Sequence, residues 1–344
     1  MNHTPDDIFC LNYCARSLLP QISNLRKTAQ NVLLRNNIDD IHDLRVSSRR
    51  IRTCLSLFAD YLPSKKNKAW VRDIKTITQS YGRVRDLDVQ IDLLTTLIKS
   101  TQDNSLLPGL RRLRLRLRQN RSKQELETRE LTDAILESPT LLEIQAWVES
   151  TLEIPVNESE KPLKLFQIAY TQIQKRLDEF LFYEIFIFDP EKITELHQMR
   201  IAAKHLRYTL EIMSDLYSGK TDFALDAARK SQQILGEIHD ADVWSMYIPR
   251  FLNREEARIS HFFGYGSPFT RLKPGVEFLM ENRKNQRELL YKRYLQEWKK
   301  WKIKEIWLNL RKTIFLSSLE QQKSNLLPAS ENNSENQNLK EALK

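Results

Sequence analysis

The chain has 344 residues, with 54 Lys and Arg against 45 Asp and Glu, a formal net charge of +9 and a pI of about 9.3. Only seven glycines occur, while 29% of the residues are charged. Strand-and-turn architectures and glycine-rich phosphate loops need more glycine, so the composition favours an all-α protein. The basic balance indicates a polyanionic partner, such as nucleic acid, a membrane surface or a phosphate polymer.

The cysteines and the apolar segments indicate the cellular compartment in which the protein is expected. Cys10, Cys14 and Cys54 are odd in number and lack CxxC spacing, which fits reduced thiols in a cytoplasmic protein. The first residues, MNHTPDDIF, lack the pattern of a signal peptide. The best apolar run, FLFYEIFIF, has about half the length that spans a bilayer and contains Glu184. We therefore expect a cytoplasmic protein without a membrane partner.

Helical patterns fill most of the chain. We predict helices, in chain order, over residues 5–35, 39–61, 64–100, 108–137, 139–152, 162–185, 190–217, 220–253 and 274–316. Residues 154–162 are predicted to be a linker, and residues 253–275 an irregular excursion. The polar segment 319–344 has few large apolar residues and is predicted to be disordered.

The second predicted helix carries a line of cations in the segment IHDLRVSSRRIRTCLSLF. Each residue advances about 100° around an α-helix. One side of this helix therefore carries the first stripe, about 15 Å long, which consists of His42, Arg45, Arg49 and Arg52. The opposite side carries Leu44, Ile51, Leu55 and Phe58. Like charges repel each other, so we expect an anion to face the first stripe.

The same pattern recurs 155 positions later, in the segment LHQMRIAAKHLRYTLEIM. Its basic residues occur at the same spacing and form the second stripe, which consists of His197, Arg200, Lys204 and Arg207. Its apolar side consists of Met199, Leu206, Leu210 and Met213. The repetition predicts that both helices arose by duplication and serve equivalent roles.

Two further motifs recur in the same order. YGRVRDLDV at 81–89 matches LGEIHDADV at 235–243, and LPGLRRL matches KPGVEFL more weakly. The last match places Arg118 opposite Lys284 and Arg121 opposite Arg287. We therefore predict one domain, 1–318, built from half-repeats 1–155 and 156–318. Each half has enough helix for a four-helix bundle, and duplication suggests that a pseudo-twofold axis relates the two bundles.

If the axis brings the two stripes together, they line a basic central channel. Arginine suits phosphate groups, because its planar fork donates paired hydrogen bonds and keeps its charge. The alternative is that the stripes are solvated faces, or that carboxylates of a neighbouring helix neutralise the arginines. The recurrence of the stripe at the same helical phase favours binding.

The motifs VRDLD and IHDAD contain Asp86 and Asp240. These carboxylates would serve as metal ligands, as catalytic acids or as partners that orient nearby arginines. The third role is favoured, because carboxylates beside a basic channel would hold arginine side chains in fixed rotamers. Arg85 and His239 occupy matching places and extend the predicted channel. The glycine four residues before each aspartate is predicted to let two helices approach closely.

The segment LRRLRLRLRQNRSK, at 110–123, contains six arginines. On a helix, one face carries Arg111, Arg114, Arg118 and Arg121. Arg118 and Arg121 are candidates for binding, because the second half has basic residues at the corresponding places. Arg112 and Arg116 are predicted to lie on a solvated face, where they would pair with Glu125 and Glu127.

A metal-dependent phosphohydrolase is a further alternative, because helical enzymes of this class can use His and Asp ligands. The chain offers His42-Asp43, His197 and His239-Asp240. However, the arginines on the same helices would repel a divalent cation. No Ser-His-Asp arrangement, P-loop or dinucleotide fingerprint is visible in the sequence. We therefore expect a binding protein without a metal, a cofactor or catalytic activity.

These motifs resemble the CHAD family, the conserved histidine α-helical domain, up to about residue 318. The resemblance rests on His42-x-x-Arg45-x-x-x-Arg49-Arg50-x-Arg52, Arg85-Asp86, His197-x-x-Arg200-x-x-x-Lys204-x-x-Arg207-Tyr208 and His239-Asp240. It implies two four-helix bundles around a basic cavity that binds inorganic polyphosphate, in some members at polyphosphate granules. The ligands that it implies are His42, Arg45, Arg49, Arg52, Arg85, Arg121, His197, Arg200, Lys204, Arg207, His239, Lys284 and Arg287, to which the internal repeat adds Arg118.

Members of this family often carry a triphosphate-tunnel domain with an alternating Glu-x-Glu-x-Lys strand. Nothing in this chain resembles that strand, so we expect a stand-alone polyphosphate-binding domain. The nearest alternative is a nucleic-acid-binding protein, because the same arginines would bind an RNA or DNA backbone. Such a protein would interleave aromatic residues with the cations to stack bases. Thr53 holds that place in the first stripe and Tyr208 in the second.

Overall fold

The computed structural model describes residues 4–35, 38–157 and 161–326. Every regular element in these ranges is a helix: twelve are α-helices and two are short 3-10 helices. The all-α prediction is therefore confirmed for the described residues. The scarcity of glycine explains this result, because few places in the chain favour the backbone conformations of tight turns.

The first half contains α1 (Pro5–Arg35), α2 (Ile38–Leu57), α3 (Ser64–Ser80), α4 (Gly82–Ser100), α5 (Leu107–Lys123), α6 (Glu125–Leu136) and α7 (Pro139–Leu152). Two of the predicted helices are divided, one at Tyr81 and the other at Gln124. The Tyr81 side chain is buried, and its hydroxyl shares a hydrogen bond of 2.6 Å with Thr132 Oγ1 of α6. The break between α3 and α4 thus positions this ring against α6.

The second half contains α8 (Leu163–Leu181), a 3-10 helix (Phe182–Phe186), α9 (Ile193–Tyr217), α10 (Asp222–Phe263), a 3-10 helix (Ser267–Arg271), α11 (Lys273–Ile303) and α12 (Ile306–Leu326). The prediction of an irregular segment from residue 253 is wrong, because α10 continues to Phe263. Glu255 and Ile259 are both buried, so this part of α10 still packs on one face. The helix ends at Gly264, which has a positive φ of 75°.

The predicted helix 274–316 divides between α11 and α12, where Glu305 adopts a φ of 50°. Residues 319–326 belong to α12, although the sequence predicted that they would be disordered. The remainder of the predicted tail, 327–344, lies outside the described residues, as does the part of the linker at 158–160.

Helix packing follows the same scheme in both halves. In the first half, α1 packs on α2 and α7, α2 on α3, and α4 on α5; in the second, α8 packs on α9 and α12, α9 on α10, and α10 on α11. Three pairs of corresponding helices join the halves: α1 with α8, α2 with α9, and α5 with α11. The helices that carry the two stripes are therefore neighbours.

The hydrophobic core explains why each stripe faces away from its own bundle. Both predicted apolar sides are buried, namely Leu44, Ile51, Leu55 and Phe58 on α2 and Met199, Leu206, Leu210 and Met213 on α9. Burial of such side chains stabilises each helix against its bundle by about 1.5–3 kcal/mol per residue. Because a helix buries one side, the basic residues on the other side are left at the surface between the bundles.

The α5–α11 contact explains the weak LPG and KPG match. A Cβ atom at Gly109 would lie 2.0 Å from the carbonyl oxygen of Leu272, and one at Gly275 would lie 2.0 Å from the carbonyl oxygen of Leu106. The two contacts are reciprocal, so each glycine lies against the start of the other helix. Only the absence of a side chain allows these backbones to approach so closely.

The three cysteines are buried, free thiols in the first bundle. Cys14 and Cys54 lie with their Sγ atoms 3.7 Å apart. Burial raises the pKa of both Cys10 and Cys14, so these side chains behave as small apolar core residues. Among the described helices, none is both long and apolar enough to cross a membrane.

Candidate functional site

The first stripe lies on α2, on the side facing away from the core. His42 is exposed, whereas Arg45, Arg49 and Arg52 are half-buried. Arg45 Nη1 donates a hydrogen bond of 2.8 Å to the Thr78 carbonyl oxygen at the end of α3. This contact fixes the Arg45 side chain while leaving its positive charge without a carboxylate partner.

The second stripe lies on α9, where all four of its residues are half-buried. Arg207 differs from its counterpart in the first stripe, because its Nε donates a 2.9 Å hydrogen bond to Glu211. Glu211 also pairs with Arg50 of α2, at 3.1 Å. Neutralisation by a carboxylate, the alternative considered from the sequence, therefore applies to Arg207. The i to i+4 spacing of Arg207 and Glu211 is a signal that the sequence already contained.

The two stripes converge at Lys204. Burial, followed by the charges of Arg49, Arg200, Arg52 and Arg45, lowers the pKa of Lys204 to about 8. Three of these arginines belong to α2, so the charges of the first stripe act directly on the centre of the second. An ammonium group held among like charges at partial burial is costly unless an anion joins it.

The cations at this convergence lack acidic partners. Among residues 4–35, 38–157 and 161–326, no carboxylate forms an ion pair with Arg45, Arg49, Arg52, Arg200 or Lys204. In addition, Arg49 Nε is buried and makes no hydrogen bond within the protein. Buried donors that the protein does not satisfy destabilise it by about 1–3 kcal/mol each. We call these five residues the cation cluster.

Asp86 and Asp240 lie beside the cation cluster, near Arg45 and Arg200. Burial raises the pKa of both carboxyl groups, while the charges of Arg45 and Arg200 lower that of Asp86 and the charge of Arg200 lowers that of Asp240. Both side chains nevertheless have solvent-accessible surface. Neither carboxylate forms a hydrogen bond with an arginine of the described chain. These aspartates therefore act on the arginines through their charge and not through fixed hydrogen bonds.

The glycines before these aspartates have a different role from the one predicted. A Cβ atom at Gly82 would lie 3.0 Å from Arg45 Nη1, and one at Gly236 would lie 3.6 Å from Arg200 Nε. Gly82 thus leaves space for the Arg45 side chain, whereas the distance at Gly236 is an ordinary van der Waals contact that a Cβ atom would also allow. At both positions the nearest atoms belong to the first arginine of the stripe in the same half and not to the backbone of another helix.

The histidines occupy the outer ends of the stripes. His197 and His239 lie with their Nδ1 atoms 3.0 Å apart and their ring centroids 4.1 Å apart. One Nδ1–H donates to the other Nδ1, which requires at least one neutral ring. Burial, then the charges of His197 and Arg200, lowers the pKa of His239 to about 4. In the first half, burial and then the charge of Arg85 lower the pKa of His42.

The remaining predicted ligands lie farther along α5 and α11. Arg121 Nε donates a 2.8 Å hydrogen bond to Asp88, and Arg287 makes the corresponding ion pair with Asp242. Arg118 and Lys284 are exposed. Asp88 and Asp242, the second aspartates of VRDLD and IHDAD, thus each bind an arginine of α5 or α11. These two ion pairs were not predicted from the sequence. Their signal was the recurrence of Asp88 as Asp242 alongside that of Arg121 as Arg287.

The prediction that Arg112 and Arg116 pair with Glu125 and Glu127 on a solvated face is wrong. Arg116 makes two hydrogen bonds of 3.0 Å to the carboxylate of Glu255, and Arg112 Nε lies 2.7 Å from the same group. Glu255 of α10 is fully buried and also pairs with Arg258. These arginines therefore hold the first half to the second.

The described residues contain no group of three or more His, Cys, Asp or Glu side chains that would hold a metal ion. The pair His42-Asp43 lies on α2, whereas His197 and His239 contact each other across α9 and α10. Arginine charges act on all three of these histidines. The arrangement suits an anion better than a cation.

Comparison with known proteins identifies the fold. The structure is similar to the crystal structure of the CHAD domain from the plant Ricinus communis, with a TM-score of 0.54, 22% identity and coverage of 81% of this chain and 86% of that one. It is also similar to PptA from Streptomyces chartreusis, with a TM-score of 0.57, 15% identity and coverage of 84% and 99%. No curated protein gives a significant match. A family model described as the CHAD domain matches residues 16–248, which is more than half of the chain. The chain therefore belongs to the CHAD domain family.

Proposed function

We propose that this protein binds inorganic polyphosphate in a channel between the two stripes, and that it acts at polyphosphate granules. The observation that carries the proposal is the cation cluster. Four half-buried arginines from α2 and α9 converge on Lys204, and none of these five cations has a carboxylate partner in the described chain. A phosphate chain supplies repeated negative charges to such a row, and arginine binds each phosphate through paired hydrogen bonds.

A nucleic acid is the nearest alternative ligand, and Tyr208 argues against it. Proteins that bind single strands stack bases on exposed aromatic rings beside the cations. Tyr208, the aromatic residue predicted to serve this purpose, is buried beneath the stripes. Its hydroxyl lies in the environment of Arg45 and Arg52. Polyphosphate needs no stacking partner, which matches the polar lining of the site.

Direct competition tests this proposal. We expect long polyphosphate to bind more tightly than single-stranded RNA of equal total charge. The affinity is also expected to fall with salt, with a log–log slope of about −3 to −4, since each neutralised phosphate contributes about 0.7 in a single-stranded polyanion. Titrations at several salt concentrations measure both quantities. Equal affinity for RNA, or a slope near zero, would contradict polyphosphate binding by the cation cluster.

The titration of Lys204 predicts how affinity depends on pH. Its pKa of about 8 means that the free protein loses this positive charge as the pH rises through that value. A bound anion raises this pKa, so binding takes up a proton and the affinity falls by up to about tenfold per pH unit above pH 8. Lys204→Arg keeps its charge at every pH in this range and is expected to flatten the dependence. If Lys204→Arg retained the wild-type dependence of affinity on pH, Lys204 would not be the group whose titration causes that dependence.

The metal-dependent phosphohydrolase is the alternative enzyme class. We expect that added magnesium or manganese releases no phosphate from polyphosphate, because the arginines around His197 and His239 repel a divalent cation. An assay for free phosphate measures this outcome. Turnover that disappears in both His239→Ala and Asp240→Ala would instead support the enzyme.

A further inference from the structure

The end of α10 exposes aromatic side chains that the stripes do not use. All residues from 261 to 267 are exposed. Phe262 is 79% exposed, Phe263 is 48% exposed and Tyr265 is 57% exposed. We call these three residues the aromatic tip. Large apolar side chains at such exposure in one short segment mark an interaction surface, whereas isolated exposed ones do not.

The aromatic tip projects from a packed base. Ile259, one turn before the tip, is buried, and so is Phe269 in the following 3-10 helix. The chain reverses at Gly264, where φ is 75° and a Cβ atom would meet nothing within 4 Å. The reversal directs the exposed rings outward from the end of a 42-residue helix. The tip therefore lies at the exposed end of α10, between the buried residues Ile259 and Phe269.

The segment that carries the aromatic tip contains basic residues and no acidic ones. No acidic residue occurs between Glu256 and Glu277. The exposed basic residues in and beside this interval are Arg254, Arg258, His261, Arg271 and Lys273. Arg258 pairs with Glu255 and Lys273 with Glu277, so Arg254, His261 and Arg271 are the ones that form no ion pair within the described part of the chain. Another exposed aromatic segment, at 182–188, has the opposite surroundings, because Glu184, Asp189 and Glu191 lie in it or follow it. Of these two segments, the one at the end of α10 is therefore the one whose neighbours are basic.

We propose that the aromatic tip docks on an anionic phospholipid surface. Phenylalanine and tyrosine rings partition into the interface between headgroups and acyl chains, while neighbouring cations bind anionic headgroups. The 20 residues between Glu256 and Glu277 contain no carboxylate that an anionic lipid surface would repel. No membrane partner was expected from the sequence, because no apolar run is long enough to span a bilayer. Docking on a membrane surface does not require a spanning segment.

The ring geometry favours a lipid surface over single-stranded nucleic acid. Phe262 and Phe263 meet edge to face, with centroids 4.9 Å apart and an interplanar angle of 80°. Phe263 and Tyr265 are tilted by 46°. Single strands are usually bound in grooves, where bases stack on successive rings. Rings that cross one another do not offer parallel faces on which successive bases stack, but exposed rings can enter a lipid interface.

Vesicle binding by the full-length protein tests the proposal. The probes are vesicles of phosphatidylcholine with and without phosphatidylserine, and bound protein is measured by co-sedimentation. Replacing Phe262, Phe263 and Tyr265 together by serine is expected to weaken binding to the anionic vesicles by about tenfold or more. The matched control replaces Phe182, Ile185 and Phe188 by serine; these three large apolar side chains are also exposed, in a segment with acidic neighbours, and their loss is expected to leave binding unchanged.

A second measurement separates the tip from the cation cluster. The Arg49→Ala, Lys204→Ala double variant is expected to keep its vesicle binding, so failure of the proposed polyphosphate function would not affect this result. In addition, F262C can be labelled with an environment-sensitive dye, because the three native thiols are buried. A blue shift on anionic vesicles supports insertion. The proposal would be overturned if the triple serine variant bound anionic vesicles as tightly as the wild type. It would also be overturned if that variant lost binding to single-stranded RNA and not to vesicles.

Discussion

Replacing Arg49 and Lys204 together by alanine is expected to weaken the binding of long polyphosphate by about 2–6 kcal/mol. Each charge-assisted contact contributes about 1–3 kcal/mol, and the two residues belong to different stripes. Arg49 is the strongest electrostatic neighbour of Lys204, and its Nε has no hydrogen bond within the protein. Loss of both therefore removes the centre of the cation cluster. Equilibrium titration of the double variant measures the effect.

A double-mutant cycle distinguishes convergence from net charge. Because Arg49 acts directly on Lys204, the two single replacements should be non-additive by about 0.5–3 kcal/mol, the usual range for residues that share a partner. Arg49→Ala combined with Lys68→Ala should be additive, since Lys68 is an exposed residue at the far end of α3. Additive behaviour of Arg49 and Lys204 would show that the stripes act independently.

The matched charge control uses Lys68 and Lys312, one exposed lysine from each half. Neither forms an ion pair within the described part of the chain. Their joint replacement by alanine removes the same charge as the Arg49 and Lys204 pair and is expected to change the affinity only slightly. Arg112 and Arg116 cannot serve as the control, because they bind the buried Glu255 and their loss would disturb the fold. An equal loss from the lysine control would mean that net charge alone determines binding.

Local periodicity accounts for what the sequence predicted well. The phase of α2 follows from a 3.6-residue period, so Leu44 and Ile51 had to lie opposite Arg45 and Arg49 once the helix formed. Repetition of that phase in α9 then predicted a second stripe. The neighbour relations of α2 and α9 agree with the predicted approach of the two stripes.

Contacts between distant residues account for what the sequence did not predict. Arg116 and Glu255 are 139 positions apart, and nothing local distinguishes that pair from a contact with Glu125. The extension of α10 has the same origin, because its last turns are stabilised by burial of Ile259 and by the ion pairs of Glu255 with Arg112 and Arg116, and not by a strong local pattern. Propensity is a weak guide wherever tertiary packing decides the outcome. The ion pairs Arg121–Asp88 and Arg287–Asp242 could be recognised as equivalent only when the internal repeat was compared with the structure.

Replacing Gly109 by alanine is expected to lower the free energy of unfolding by about 3 kcal/mol, the upper part of the usual range for overpacking. The new methyl group would lie 2.0 Å from the Leu272 carbonyl oxygen, so α5 and α11 would have to separate. The separation would also disturb the packing of Leu110 and Leu113 against Val276, which are buried in one cluster at this contact. Gly275→Ala is expected to have the same effect, because its contact with Leu106 is reciprocal. Urea denaturation of both variants measures the loss.

Gly266→Ala provides the control for these replacements. Its added methyl group would meet only Ser260 Oγ, at 3.4 Å, and its backbone conformation suits alanine. We therefore expect a change within about 0.5 kcal/mol, as for most surface substitutions. A similarly small change in both Gly109→Ala and Gly275→Ala would mean that α5 and α11 do not meet at these glycines. In that case α5 and α11 would not hold Arg121 and Arg287 in the relative position described above, in which these arginines pair with Asp88 and Asp242.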